Sequence, residues 1–160
     1  MTKDKKKLTN YAFNLLAKRS YSCFDMEKKM KIYIKRREMD ENLVAEVIDK
    51  LIEHRYLDDE KYAANYVESR VRLKPRGIFL IKRELKMKGI KDNLVEKIIS
   101  EMEISEDDMA KSLLDKKVTI WERLEPRKRK ERAYRYLTSR GFKMETVYKA
   151  VNRCYYPSVK

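Results

Sequence analysis

The sequence predicts an all-α protein: three tandem three-helix repeats forming an elongated, gently curved array. Three observations carry that prediction. Only three Gly and three Pro occur in 160 residues, too few for the tight turns of a β protein and in keeping with long helices. Apolar residues recur at the helical i, i+3, i+4 spacing. Whole blocks of this pattern then return at intervals of 51 and 52 residues, a period that matches none of the common solenoid repeats.

The first repeat is expected over 8–55. Its first helix carries Ala12, Leu15 and Leu16 with Arg19. The second, about 25–36, runs into Arg36, Arg37 and Glu38 with no glycine to close it. The third carries Leu43, Val44, Val47, Ile48 and Leu51. The second repeat, 57–104, starts with Asp58 as N-cap, with Asp59 and Glu60 in the first turn against the positive helix end. Ala63, Tyr66, Val67 and Arg70 repeat the first stripe. Pro75 stands ahead of a helix with Ile81 and Leu85, and Leu94, Val95, Ile98, Ile99 and Met102 form the third. In the third repeat, 105–156, Ser105 with Asp108 resembles a capping box, and Ala110, Leu113, Leu114 and Lys117 follow. Pro126 precedes Ala133 and Leu137, and Thr146, Val147, Ala150, Val151 and Cys154 close the set. Gly89 and Gly141 end the second helices of repeats two and three alike, each where a C′ residue can turn left-handed. No unit is large enough for a sizeable core of its own, so each is expected to lean on its neighbour.

Charge is distributed unevenly. The chain carries +14 overall. Residues 70–91 hold nine Lys/Arg against Glu84 alone, a net of +8, and residues 127–140 hold seven against Glu131 alone, a net of +6. The remaining 124 residues balance at 24 basic and 24 acidic. Two localised basic blocks at matching places in a repeat suggest a binding face for a long polyanion. With so few acids in these windows, i,i+4 pairing cannot neutralise them. The candidate binding residues are Arg70, Arg72, Lys74, Arg76, Lys82, Arg83, Lys86 and Lys88, and Arg127, Lys128, Arg129, Lys130, Arg132, Arg135 and Arg140.

Other motifs read as structure. Asp58 and Asp59 point in different directions on a cap and do not make one acid/base or metal site. His54, the only histidine, lies off the apolar stripe as a surface residue, and Cys23 and Cys154 have no metal-ligand spacing. Among the 11 tyrosines, Tyr33, Tyr134 and Tyr136 lie among cations, and Tyr134 is the preferred candidate to stack on a base. Trp121 is expected to pack at the junction with the third unit. No Walker loop, GxGxxG, HExxH or zinc spacing occurs, so no enzyme, cofactor or metal is expected. No run approaches 18 apolar residues and no apolar stretch follows the basic N-terminus, so a soluble, cytoplasmic monomer is expected.

The segment 56–90 resembles the central signature of the bacterial RecX family, regulatory proteins that act on the RecA recombinase. The resemblance rests on Tyr56-Leu57-Asp58-Asp59 with Tyr62-Ala63, then Arg70, Gly77, Ile81, Glu84-Leu85 and Lys88-Gly89-Ile90. Arg19-Ser20-Tyr21-Ser22 with Asp25-Met26 and Lys29-Met30 is similar to the family's first-unit motif. Arg55 stands where the family has glycine, and a left-handed arginine costs about 1–2 kcal/mol. The third helix of the first repeat is therefore expected to end differently. The resemblance implies tandem three-helix repeats lodged in the groove of the RecA–single-stranded DNA filament. It implies inhibition of filament extension or promotion of disassembly, and so a restraint on recombination, DNA repair and the SOS response. Free DNA would be bound weakly. On this reading the middle and C-terminal repeats grip the filament, while the N-terminal repeat positions them.

The alternative is a helix-turn-helix-like protein acting directly on DNA or RNA, with Gly89 and Gly141 in the turns. Its reading helices would carry Lys91, Asp92, Asn93, Glu96 and Lys97, or Lys143, Glu145 and Lys149, a mixed set that is poorly basic. The cations lie on the second helices instead, which favours backbone or filament contact over sequence reading.

Overall fold

The computed structural model describes residues 2–155, so the expected end of the third repeat at 156 lies outside the described residues. Among them are nine helices and no strand: α1 Lys3–Leu16, α2 Cys23–Lys35, α3 Asn42–Glu53, α4 Asp59–Arg72, α5 Ile78–Met87, α6 Asp92–Glu101, α7 Glu106–Trp121, α8 Pro126–Thr138 and α9 Met144–Tyr155. They form an all-α array of three-helix repeats. The chain packs as two compact units, one running to Asn65 and including Leu85–Val95, the other taking Tyr66–Glu84 and the chain from Glu96 on. The division passes through α4, α5 and α6.

Local chemistry explains the helix limits. Thr2 accepts a hydrogen bond from the Lys5 N–H at 3.4 Å, so α1 begins ahead of residue 8 and brings Leu8 into the core with Ala12. Ser22 caps α2 through the Asp25 N–H at 3.2 Å, and Ser105 caps α7 through the Asp108 N–H at 3.3 Å. In the first unit Leu8, Ala12, Met26, Met30, Val44, Val47, Leu51 and Leu57 bury one continuous core. In the second, Ala110, Leu113, Leu114, Ala133, Leu137, Phe142, Val147 and Val151 do the same. Trp121 belongs to that second core, edge-on to Tyr136 with ring centroids 5.5 Å apart, and Val71 and Ile104 of the second repeat pack against the same core. Cys154 is only partly buried against this core.

The second helix of every repeat ends in the same way. The carbonyls of Ile34, Leu85 and Leu137 accept from the N–H of Met39, Ile90 and Phe142, five residues on, at 3.1, 3.1 and 3.4 Å. The residue between is left-handed each time: Gly89 at φ +74, Gly141 at φ +79, and Glu38 at φ +51 in the repeat that lacks the glycine. Arg55 also turns left-handed, at φ +56, so α3 ends as a glycine-capped helix does, contrary to the sequence expectation. The Leu51 carbonyl accepts from Tyr56 at 2.8 Å and from Leu57 at 3.0 Å, and Leu57 is buried. These bonds and that burial offset the strain. Arg55→Gly is expected to raise stability by about 1 kcal/mol, read as a higher thermal midpoint. A lower midpoint would contradict this account.

Successive repeats interlock through the N-terminus of the second helix. Asp58 is the N-cap of α4, accepting from Lys61 at 3.0 Å. Asp59, expected only to face its own helix end, instead accepts from the Cys23 N–H at 2.8 Å and so caps α2. Glu106 at the start of α7 does the same for the Ile78 N–H of α5. Each carboxylate meets the positive end of a neighbouring helix. Burial, reinforced by the charge of Asp59, pushes the Cys23 thiol up to about 12, which leaves it protonated and unreactive. Two close backbone approaches complete the joints. A side chain at Gly89 would meet Phe24, and one at Gly141 would meet Leu80. The Gly77 N–H donates to the Arg140 carbonyl at 2.8 Å. That bond and the Glu106 cap delay α5 to Ile78, three residues beyond Pro75.

Candidate nucleic-acid interface

The first basic window is less bare than its sequence implies, because counter-charges from outside it join Glu84. Arg72 pairs with Glu68 at 2.8 Å, Lys82 with Glu96 at 2.5 Å and Lys88 with Asp25 at 3.0 Å, while Lys86 reaches Asp92 only at 3.8 Å between exposed groups, a contact of little energy. Arg70 and Arg76 both converge on Glu84, Arg70 at 3.0 Å. Lys74 and Arg83 are left with no carboxylate partner among the described residues.

Glu84 ties α4 to the lead-in of α5. Its carboxylate accepts from the Tyr66 hydroxyl at 2.7 Å and from Arg70 Nε, while Arg70 lies 4.5 Å from the centroid of the Tyr66 ring. Burial alone would raise the Glu84 pKa, but the hydrogen bonds from Tyr66 and Arg70 and the charges of Arg76 and Arg70 outweigh it. The net position is below the ordinary 4.5. A carboxyl with a depressed folded-state pKa stabilises the fold above its unfolded value, and that contribution is lost as pH falls through the folded pKa. The wild type is therefore expected to exceed Glu84→Gln in urea midpoint at pH 7, with the gap closing below about pH 4.5. A gap that stays constant down to pH 3 would contradict the network.

The second window lies on α8, where helical spacing separates its cations into roles. Arg127 pairs with Glu131 at 3.2 Å. Arg129 Nε donates to the Leu124 carbonyl at 2.5 Å, and Lys130 is half-buried. Lys128, Arg132 and Arg135, at i, i+4 and i+7, are exposed along one outward stripe. Of these, among the described residues, only Lys128 has an acid in reach, Glu125 at 3.8 Å between exposed groups, a contact of little energy.

Aromatic side chains flank this stripe on both sides. On one side Tyr136 carries Arg140 at 3.9 Å from its ring centroid and Lys117 at 5.6 Å. Beside it Lys74, Arg76, Lys116, Ser139 and Arg140 line a hollow of about 500 Å³ whose wall contains no acid. The hollow brings cations of the two sequence windows together, held by the Gly77–Arg140 backbone bond. The C-terminal ends of α4 and α8 offset this by roughly half a negative charge each, and a surplus of positive charge remains. Sequence reasoning did not single out Lys116, because it lies outside both windows. On the other side Tyr134 and Tyr148 meet edge to face, centroids 5.2 Å apart. Tyr148 was also missed, since a lone tyrosine on a mixed helix carries no signal until α8 is packed against it.

The remaining motifs are placed without chemistry. His54 is exposed at the end of α3. Tyr33 stacks on Tyr11 at 4.1 Å and takes Arg37 at 3.9 Å on its ring. Among the described residues no group of three or more His, Cys, Asp or Glu could hold a metal ion, and no helix is long and apolar enough to cross a membrane.

Fold and surface together define an all-helical repeat protein with a basic, aromatic-flanked face. Residues 58–98 match the second three-helix domain of RecX, and residues 105–151 match its third. The regulatory protein RecX of Haemophilus influenzae strain PittEE is 30% identical over 137 residues, covering 85% of this chain and 87% of its own. That of Bacillus velezensis is 29% identical over 154 residues, covering 96% of this chain and 57% of its own. The crystal structure of RecX from Lactobacillus salivarius superposes with a TM-score of 0.77 at 22% identity, covering 96% of this chain and 98% of that one. A second crystal structure, of a regulatory protein RecX, gives 0.74 at 23% identity, covering 92% and 72%. The chain belongs to the RecX family of regulatory proteins.

Proposed function

We propose that the chain inhibits the RecA recombinase by binding in the groove of the RecA–single-stranded DNA filament. There it blocks extension or promotes disassembly, and so limits recombination and repair in the cytoplasm. Family membership supports a regulatory role, and the observation that carries the polyanion contact is the exposed Lys128, Arg132 and Arg135 stripe on α8. A repeat protein touching a repeating filament at several points gains by multivalency, and a ligand that prefers a closed filament state shifts the filament toward it. The helix-turn-helix alternative is less well supported, because Lys149 of α9 is engaged by Glu145 at 2.9 Å and Asp107 at 3.6 Å. Strand exchange by RecA should fall as the chain is added below RecA in molar amount. Undiminished product at equimolar chain would sink the proposal.

A further inference from the structure

We propose that Tyr148, with Tyr134 and Met144, forms a nucleobase-stacking platform through which the chain holds single-stranded nucleic acid directly. This deepens the reading of the α8 face and rests on it. The groove between α8 and α9 is broad and open, about 860 Å³. α9 buries Thr146, Val147, Ala150 and Val151, yet leaves Met144 51% and Tyr148 54% exposed, four residues apart on one face. Exposure alone does not set these two apart, since Leu73, Phe79 and Met87 are more exposed still; what does is their place with Tyr134 on the wall of one open groove. Tyr134 is partly buried against the second core, and an edge-to-face pair occupies one ring's edge and one face of the other, so the exposed ring of Tyr148 offers the surface left for a third planar group. Among the described residues neither phenol hydroxyl has a hydrogen-bond partner, so no polar contact fixes the rings for another purpose.

The flanking charge identifies the planar group. Lys130, Arg135 and one acid, Glu131, line the groove; Glu131 pairs with Arg127 at 3.2 Å, and Lys128 and Arg132, outside the groove, continue the line of Arg135 along α8. From Lys128 to Arg135 the helix rises about 10 Å, so the row can follow the backbone of an extended strand past more than one phosphate. A row of cations beside an open aromatic groove fits a phosphate backbone with its bases turned inward. A duplex keeps its base faces stacked within itself, so the platform selects single strands.

The test uses the full chain and no recombinase: fluorescence anisotropy with an oligothymidylate, an abasic oligomer of equal length, and a duplex. The oligothymidylate should bind about tenfold or more tighter than the abasic strand and the duplex. Tyr148→Ala should weaken it by roughly tenfold with an unchanged salt slope, and Tyr148→Phe should restore it. Arg135→Gln should instead flatten the salt slope. Equal binding of the abasic strand, no binding of the oligothymidylate, or an unaffected Tyr148→Ala variant that keeps its helical circular dichroism would each overturn the inference. If free strands go unbound while strand exchange is still inhibited, this inference fails and the proposed function stands.

Discussion

The variant Lys128→Gln, Arg132→Gln, Arg135→Gln should bind the RecA–DNA filament about 50-fold more weakly near 0.15 M salt. The slope of log affinity against log salt should be shallower by about 2, because each phosphate contact on a single strand accounts for roughly 0.7 of slope through counterion release. Glutamine keeps helix propensity close to that of Lys and Arg, and these side chains hold no buried contact, so α8 should remain folded. The remaining cations of the sequence windows are predicted to behave differently. Replacing Arg70 or Arg76 strips Glu84 of a partner in a partly buried network and should lower stability before it lowers affinity. Replacing Arg129 frees the Leu124 carbonyl. Filament affinity measured as a salt titration separates these classes, and a triple variant with wild-type affinity and slope would remove α8 from the interface.

Gly77→Ala should destabilise the second unit by about 3 kcal/mol, the upper range for a steric insertion. Gly77 is buried, and a methyl placed on it would collide with the carbonyl oxygen of Gly141. The obstacle is backbone, and neither partner can yield easily. Gly141 is fixed at φ +79 by its left-handed turn and is pressed by Leu80, while the Gly77 N–H is bonded to Arg140. The same joint sets the wall of the cationic hollow, so the variant should also disturb Lys74 and Arg140. Urea unfolding checks it, and a loss below about 1 kcal/mol would mean the joint opens at little cost.

The helical order was legible because apolar stripes report which side of a helix is covered. Gly89 and Gly141 announced their turns, since few other residues take positive φ without strain. The equivalent turns at Glu38 and Arg55 were hidden because strain can be offset by hydrogen bonds and burial that no local rule registers. The site was legible only in outline. Counting acids within a window exposes i,i+4 pairs, as Arg127 with Glu131, but not pairs made by tertiary packing. Lys88 meets Asp25 across 63 positions of sequence, and Asp59 caps a helix 36 positions away. Packing thus neutralised much of the first window and left the stripe of α8. It also added Lys116 and Tyr148, which sequence alone had no reason to choose.

The most direct test of the central claim is a titration of the chain into RecA hydrolysing ATP on single-stranded DNA, wild type beside the triple α8 variant. The wild type should suppress hydrolysis at amounts well below RecA, and the variant should need roughly fifty times more in 0.15 M salt. Hydrolysis unchanged by the wild type, or equal suppression by both proteins, would contradict the claim.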